Sequence, residues 1–90
     1  MPIFRKSNAD AAPLVDFYWR PGCPFCRALE FRLDRAGIGV NKINIWQDPA
    51  AAARVREITG GDETVPTVVV GEHRLVNPSV GEVRRALRTP

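Results

Sequence analysis

Cys23 and Cys26 are the only cysteines in this chain, and they stand two residues apart as Cys23-Pro24-Phe25-Cys26. The apolar run Leu14-Val15-Asp16-Phe17-Tyr18-Trp19 precedes them and reads as a strand. Ala28, Leu29, Leu33 and Ala36 follow at helical spacing, so the pair lies where a strand hands over to a helix. The first helical turn presents unpaired N–H groups and the positive end of the macrodipole, and both stabilise a thiolate. Pro24 suits the first helical position, where no N–H is needed. Cys26 then falls on the same side of the turn as Cys23, within reach of a disulfide. The pair reads as a redox dithiol.

Composition narrows the alternatives. Ninety residues with 44% apolar content make one small domain with a modest core. No apolar run approaches membrane-spanning length, and no N-terminal segment resembles a signal peptide, so the expectation is a cytoplasmic protein. In that compartment a structural disulfide is rare, and a CxxC pair is more often catalytic or metal-binding. The net charge of +3 comes mostly from scattered arginines, which read as solvated helix faces. No basic block interleaved with aromatics points to nucleic acid.

The elements that must position the cysteines follow in order. Residues 1–13 read as a loose polar arm, with Ile3 and Phe4 against the body, and residues 14–90 as the folded domain. Leu14 to Trp19 is the first strand, apolar enough to be central in a sheet covered on both faces. Pro24 to Ala36 is the first helix, ended by Gly37. Val40 to Trp46 is the second strand. Asp48 and Pro49 open a second helix through Thr59, buried through Val55, Ile58 and some alanines, and Gly60-Gly61 stops it. Thr67 to Val70 and His73 to Val76 form a hairpin about Gly71-Glu72, with His73 facing solvent. Ser79 with Glu82 forms a capping-box signature for a last helix whose stripe is Val80, Val83 and Leu87. The order βαβ–ββα predicts an α/β fold, a four-stranded mixed sheet flanked by three helices.

With Cys23-Pro24-Phe25-Cys26 after the first strand and Thr64-Val65-Pro66-Thr67 before the hairpin, the chain from Leu14 to Leu87 resembles a glutaredoxin, with a thioredoxin-like fold. Trp46-Gln47-Asp48-Pro49 and Gly60-Gly61-Asp62-Glu63-Thr64-Val65-Pro66 look closest to the actinobacterial mycoredoxin branch. The resemblance implies a thiol–disulfide oxidoreductase in which Cys23 is the nucleophile and Cys26 the resolving thiol. Cys23 is then expected to be exposed and ionised at neutral pH, and Cys26 more buried and protonated. Val65-Pro66 would be a cis peptide facing the cysteines, with the Val65 backbone open to pair with an extended substrate; an ordinary trans proline at a strand start is the alternative.

Thr64, Val65, Pro66, Pro24 and Phe25 would border the bound thiol, with Phe25 in the place of the family's tyrosine. Arg20 would stabilise the thiolate and attract an anionic substrate, or stand as a plain loop arginine. Asp16 resembles the buried aspartate of thioredoxins that assists the resolving cysteine; exposure is the alternative reading. Glutathione-using members usually carry Gly-Gly and an acid before the last helix, where this chain has Val76-Asn77-Pro78-Ser79. Mycothiol is therefore favoured over glutathione as reductant, with Asn77 and Ser79 meeting its hydroxyls. No tightly bound cofactor is expected, and the partners are S-thiolated or disulfide-containing proteins met by a monomer. A protein electron donor of the NrdH-redoxin type, reduced by thioredoxin reductase, is the alternative. Cluster bridging is disfavoured by Pro24, and two cysteines with His73 are too few for a closed zinc site.

Overall fold

Strand β1 (Val15–Trp19) occupies an interior position of a four-stranded sheet whose order is β2-β1-β3-β4, in a computed structural model that describes residues 14–89. The expected N-terminal arm lies outside the described residues. Strand β2 (Asn41–Asn44) runs parallel to β1, with Tyr18 opposite Ile43. Strand β3 (Thr67–Val70) pairs antiparallel with β1, and β4 (His73–Val76) antiparallel with β3.

Side chains alternate across β1 and so divide it between two cores. Val15, Phe17 and Trp19 face helices α1 (Pro24–Arg35) and α3 (Val80–Arg88), where Leu29, Leu33, Val83 and Ala86 complete one buried cluster. Tyr18 faces α2 (Pro49–Thr59) and meets Ile45, Ala51, Ala52, Val55 and Val69 in a second. Complete burial of Phe17, Leu33, Val55 and Val68 stabilises the fold by about 1.5–3 kcal/mol per side chain.

Each helix end carries its own chemistry. Cys23 caps α1, and Pro24 takes the first turn. At the far end Gly37, with φ 76°, donates its N–H to Asp34 O at 3.0 Å, a left-handed closure that glycine adopts without strain. Asp48 Oδ1 accepts from the amides of Ala50 and Ala51 at 3.1 and 3.2 Å, and left-handed Gly60 ends α2. The Ser79–Glu82 box caps α3 reciprocally.

Three expectations are corrected. The second strand is shorter than Val40 to Trp46: Ile45 N–H still reaches Trp19 O at 2.9 Å, but Asn44 Oδ1 takes the Trp46 N–H at 2.9 Å and turns the chain away. The stripe of α3 ends on Ala86 rather than Leu87, which lies one helical step round and is 37% exposed. His73 is half-buried rather than solvent-facing, its Nε2 2.6 Å from Thr89 O at the end of α3.

Candidate active site

The β1–α1 connection brings the two thiols together beneath the loop that precedes β3. As N-cap of α1, Cys23 is in extended backbone conformation, and its Sγ accepts the Cys26 N–H at 3.2 Å. The sulfur therefore fills one of the orphan donors at the helix start. From the other side Cys23 Sγ–H donates to Val65 O at 3.7 Å. The Val65-Pro66 peptide is cis, as the resemblance implies, and Pro66 is buried.

These contacts overturn one expectation. Cys23 is not open to solvent: only 3% of it is accessible, against 2% of Cys26. The Val65 carbonyl and the first turn of α1 enclose the sulfur, and Trp19 and Val65 pack against the cluster to which it belongs.

Cys26 is held protonated, as expected. Burial is the largest cause, and hydrogen bonding to the Cys23 side chain adds to it; together they push the Cys26 thiol up from 9.0 to about 12. A backbone hydrogen bond from Arg20 and the charge of its guanidinium act in the opposite direction. Arg20 and Cys26 line one open cavity of about 640 Å³ beside α1, with Trp19 and Phe31. The structure thus places Arg20 on the same cavity as Cys26.

The remaining expected site residues divide. Asn77, in left-handed conformation at φ 50°, donates its N–H to Pro66 O at 2.8 Å, which ties the turn before α3 to the cis-proline loop. Pro24 is exposed at the first turn, and Phe25 is 68% exposed beside it, outside the core. Thr64 turns its carbonyl to Thr67 Oγ1 at 2.7 Å, an internal contact of the loop. Ser79 Oγ accepts from Glu82 N–H at 3.1 Å while Glu82 Oε1 takes the Ser79 N–H at 2.8 Å. That box leaves the amides of Val80 and Gly81 as the orphan donors of α3.

Asp16 belongs to the other face of the sheet. Alternation along β1 places it with Tyr18 on the α2 side, where its Oδ1 accepts from Asn41 Nδ2 at 3.1 Å. A proton relay to Cys26 is excluded by that placement. Among the described residues no group of three or more His, Cys, Asp or Glu is arranged to hold a metal ion. Sequence reasoning missed Trp46 as a site residue, although its ring lies under Arg20, with the guanidinium carbon 5.8 Å from the ring centroid. A large aromatic ending an edge strand and left outside either core was the available signal.

The family profile described as Glutaredoxin matches residues 15–75, spanning both the dithiol and the cis-proline loop. A protein named "Putative glutaredoxin Rv3198A" of Mycobacterium tuberculosis is 35% identical over 74 residues, covering 81% of this chain and 88% of that protein. This chain belongs to the glutaredoxin family. A protein named "Putative glutaredoxin MT3292", from a second strain of that organism, matches to the same extent. Among solved structures, the glutaredoxin of Archaeoglobus fulgidus superposes with a TM-score of 0.71 at 22% identity, covering 96% of this chain and 99% of that one. The NrdH-redoxin of Escherichia coli superposes at 0.62 with 24% identity, covering 84% and 93%. At such identities these likenesses speak for the fold, which is thioredoxin-like. As a glutaredoxin, the chain is a thiol–disulfide oxidoreductase built on Cys23 and Cys26.

Proposed function

We propose that this glutaredoxin removes low-molecular-weight thiols from proteins in the cytoplasm, working as a monomer and taking mycothiol in preference to glutathione. The observation that carries the reading is the turn before α3. Glutathione carries an ammonium group, for which an acidic residue is the natural partner at this place. Here Glu82 is the first acid after the turn, and its carboxylate is committed to the Ser79 amide at 2.8 Å. Asn77, exposed and tied to Pro66, and the orphan amides of Val80 and Gly81 offer uncharged hydrogen bonding instead, which suits the hydroxyls of mycothiol. The likeness to a mycobacterial protein is in keeping with this choice.

In the reaction, Cys23 loses its proton and its contact with Val65 O, and its thiolate attacks the sulfur of the small thiol in the mixed disulfide. The protein thiolate leaves and is protonated. A second small thiol, as thiolate, then attacks the small-thiol sulfur of the adduct; the bond to Cys23 breaks, the disulfide of the two small thiols leaves, and Cys23 is regenerated. With protein disulfides, Cys26 resolves the adduct and a Cys23–Cys26 bridge remains. Cys23→Ser should abolish activity, and Cys26→Ser should keep de-thiolation. The deciding assay compares reduction rates of one protein capped with mycothiol or with glutathione, and adds thioredoxin reductase as electron donor in a third arm. Faster turnover of the mycothiol-capped form supports the reading. A clear preference for glutathione, or reduction by the reductase alone, overturns it.

A further inference from the structure

Trp46 lies directly after β2, with 63% of its surface exposed, and neither thiol chemistry nor the core accounts for it. Its position is nevertheless fixed. Ile45 N–H is bonded to Trp19 O, Trp46 N–H to Asn44 Oδ1, and Gln47 N–H to Asn44 O, all between 2.9 and 3.1 Å. The residue after Trp19 is Arg20, so the clasp that orders the Trp46 backbone also ties it to the segment carrying that arginine. The guanidinium carbon at 5.8 Å from the ring centroid is within cation–π range.

What Arg20 does from there is specific. The cavity beside Cys26 is lined by the cations Arg20, Arg27 and Lys42 and by the acids Glu30 and Asp34. Lys42 is paired with Glu30 at 2.8 Å. Arg20 shares this cavity with Cys26 and is the lining cation that stands over the Trp46 ring. An arginine side chain free in solvent spreads over many rotamers, and a stacking partner removes that freedom where the charge is needed.

We propose that Trp46 is a positioning residue for the resolving half of the reaction: by stacking on Arg20 it keeps the guanidinium beside Cys26 and speeds closure of the Cys23–Cys26 disulfide. The proposal rests on the dithiol route given above. In that step Cys26 releases its proton to solvent and attacks Cys23 Sγ in the mixed disulfide. The Cys26–Cys23 bond forms, the bond from Cys23 to the substrate sulfur breaks, and the departing thiolate takes up a proton. Cys26 is oxidised and the substrate sulfur reduced. Negative charge builds on Cys26 in this step, so this is where the guanidinium contributes.

The test uses the reduced full chain mixed with one equivalent of 4,4′-dithiodipyridine, an uncharged disulfide whose released thione absorbs light. The first release reports attack by Cys23, and the second reports closure by Cys26. Trp46→Leu should slow the second phase by about three- to fivefold, the size a surface cation–π contact supports, and leave the first unchanged. Trp46→Phe, which keeps a ring, should restore most of the rate. Arg20→Gln should reproduce the loss, and adding Trp46→Leu to it should cost nothing more. A second phase unaffected by Trp46→Leu overturns the proposal, as does equal slowing of both phases, the mark of a merely structural role. Release of a single equivalent by the unmodified protein would instead remove the dithiol route itself, and the proposal with it.

Discussion

The protonated state of Cys26 gives the sharpest quantitative expectation. Cys23→Ser isolates that thiol without dismantling the helix, because serine is a favoured N-cap and can take over the bond from the Cys26 amide. The variant loses the influence of the Cys23 side chain but keeps the burial that is the larger cause of the shift. A rise from 9.0 to about 12 lowers the thiolate fraction at pH 7 by about a thousandfold. With the Cys23 contribution removed, burial should still hold the thiolate fraction well below that of an ordinary thiol. The assay is alkylation by iodoacetamide between pH 7 and 10.5, followed by mass, on the folded variant and on the same variant in urea. For the folded protein the logarithm of the rate should climb with unit slope across the whole range. In urea it should level off near the ordinary thiol value. Steric shielding alone would lower the folded rate without moving its profile, so the shape separates the two causes. A plateau below pH 9.5 in the folded variant, or a native rate at pH 7 within tenfold of the unfolded one, would refute the argument.

Three further expectations follow from the same geometry. Replacing Cys23 by Ala rather than Ser removes the cap as well as the nucleophile, so Cys23→Ala should melt about 4–8 °C below Cys23→Ser, reflecting about 1 kcal/mol by thermal unfolding; equal melting temperatures would deny the cap its role. Asp16→Asn should leave reductase turnover within twofold at every pH tested, because its carboxylate faces α2; a shifted pH profile would restore the relay. The reduced protein should lose stability in alkali. Cys26 is raised in the folded state, so its contribution is complete below about pH 9 and is lost toward pH 12, where the unfolded chain has released a proton the native state retains. Urea titrations at pH 8 and 10.5 should show a loss of up to about 1.4 kcal/mol per pH unit. Cys26→Ala should show correspondingly less, and an undiminished loss in that variant would contradict the assignment.

Much of the fold was legible because its signals are local. Asp48-Pro49, Ser79 with Glu82, and Gly37 act within one helical turn of themselves, and each is found in the role its chemistry dictates. The hairpin strands Thr67–Val70 and His73–Val76 also emerged with their bounds intact. The misreadings fall where a short polar side chain or a tertiary neighbour decides. Asn44 has the side chain to end a strand, but whether its Oδ1 would take the Trp46 amide depends on how β2 is anchored to Trp19. Leu87 outranks Ala86 in hydrophobicity, yet a nine-residue helix crossing β3 and β4 has room for only one stripe, and Val83 had already set its direction.

The site divides along the same line. That Cys23 sits at a helix start can be read from Pro24 and the apolar spacing after it; that it is covered cannot, because the covering carbonyl belongs to Val65, forty-two positions away. An N-cap side chain bends back over its own first turn, which makes it a good acceptor for the Cys26 amide and also points it beneath whatever the fold lays across that turn. Stabilising a charge and shielding it are thus consequences of one placement. The same holds for Arg20: its position before the dithiol is visible in the sequence, but the partner that steadies it comes from beyond the second strand, through a clasp between Ile45 and Trp19. Groups that carry the chemistry announce themselves by type and spacing. The residues that aim them are brought in by the sheet, and only the register of β1 against β2 puts Trp46 within reach of Arg20.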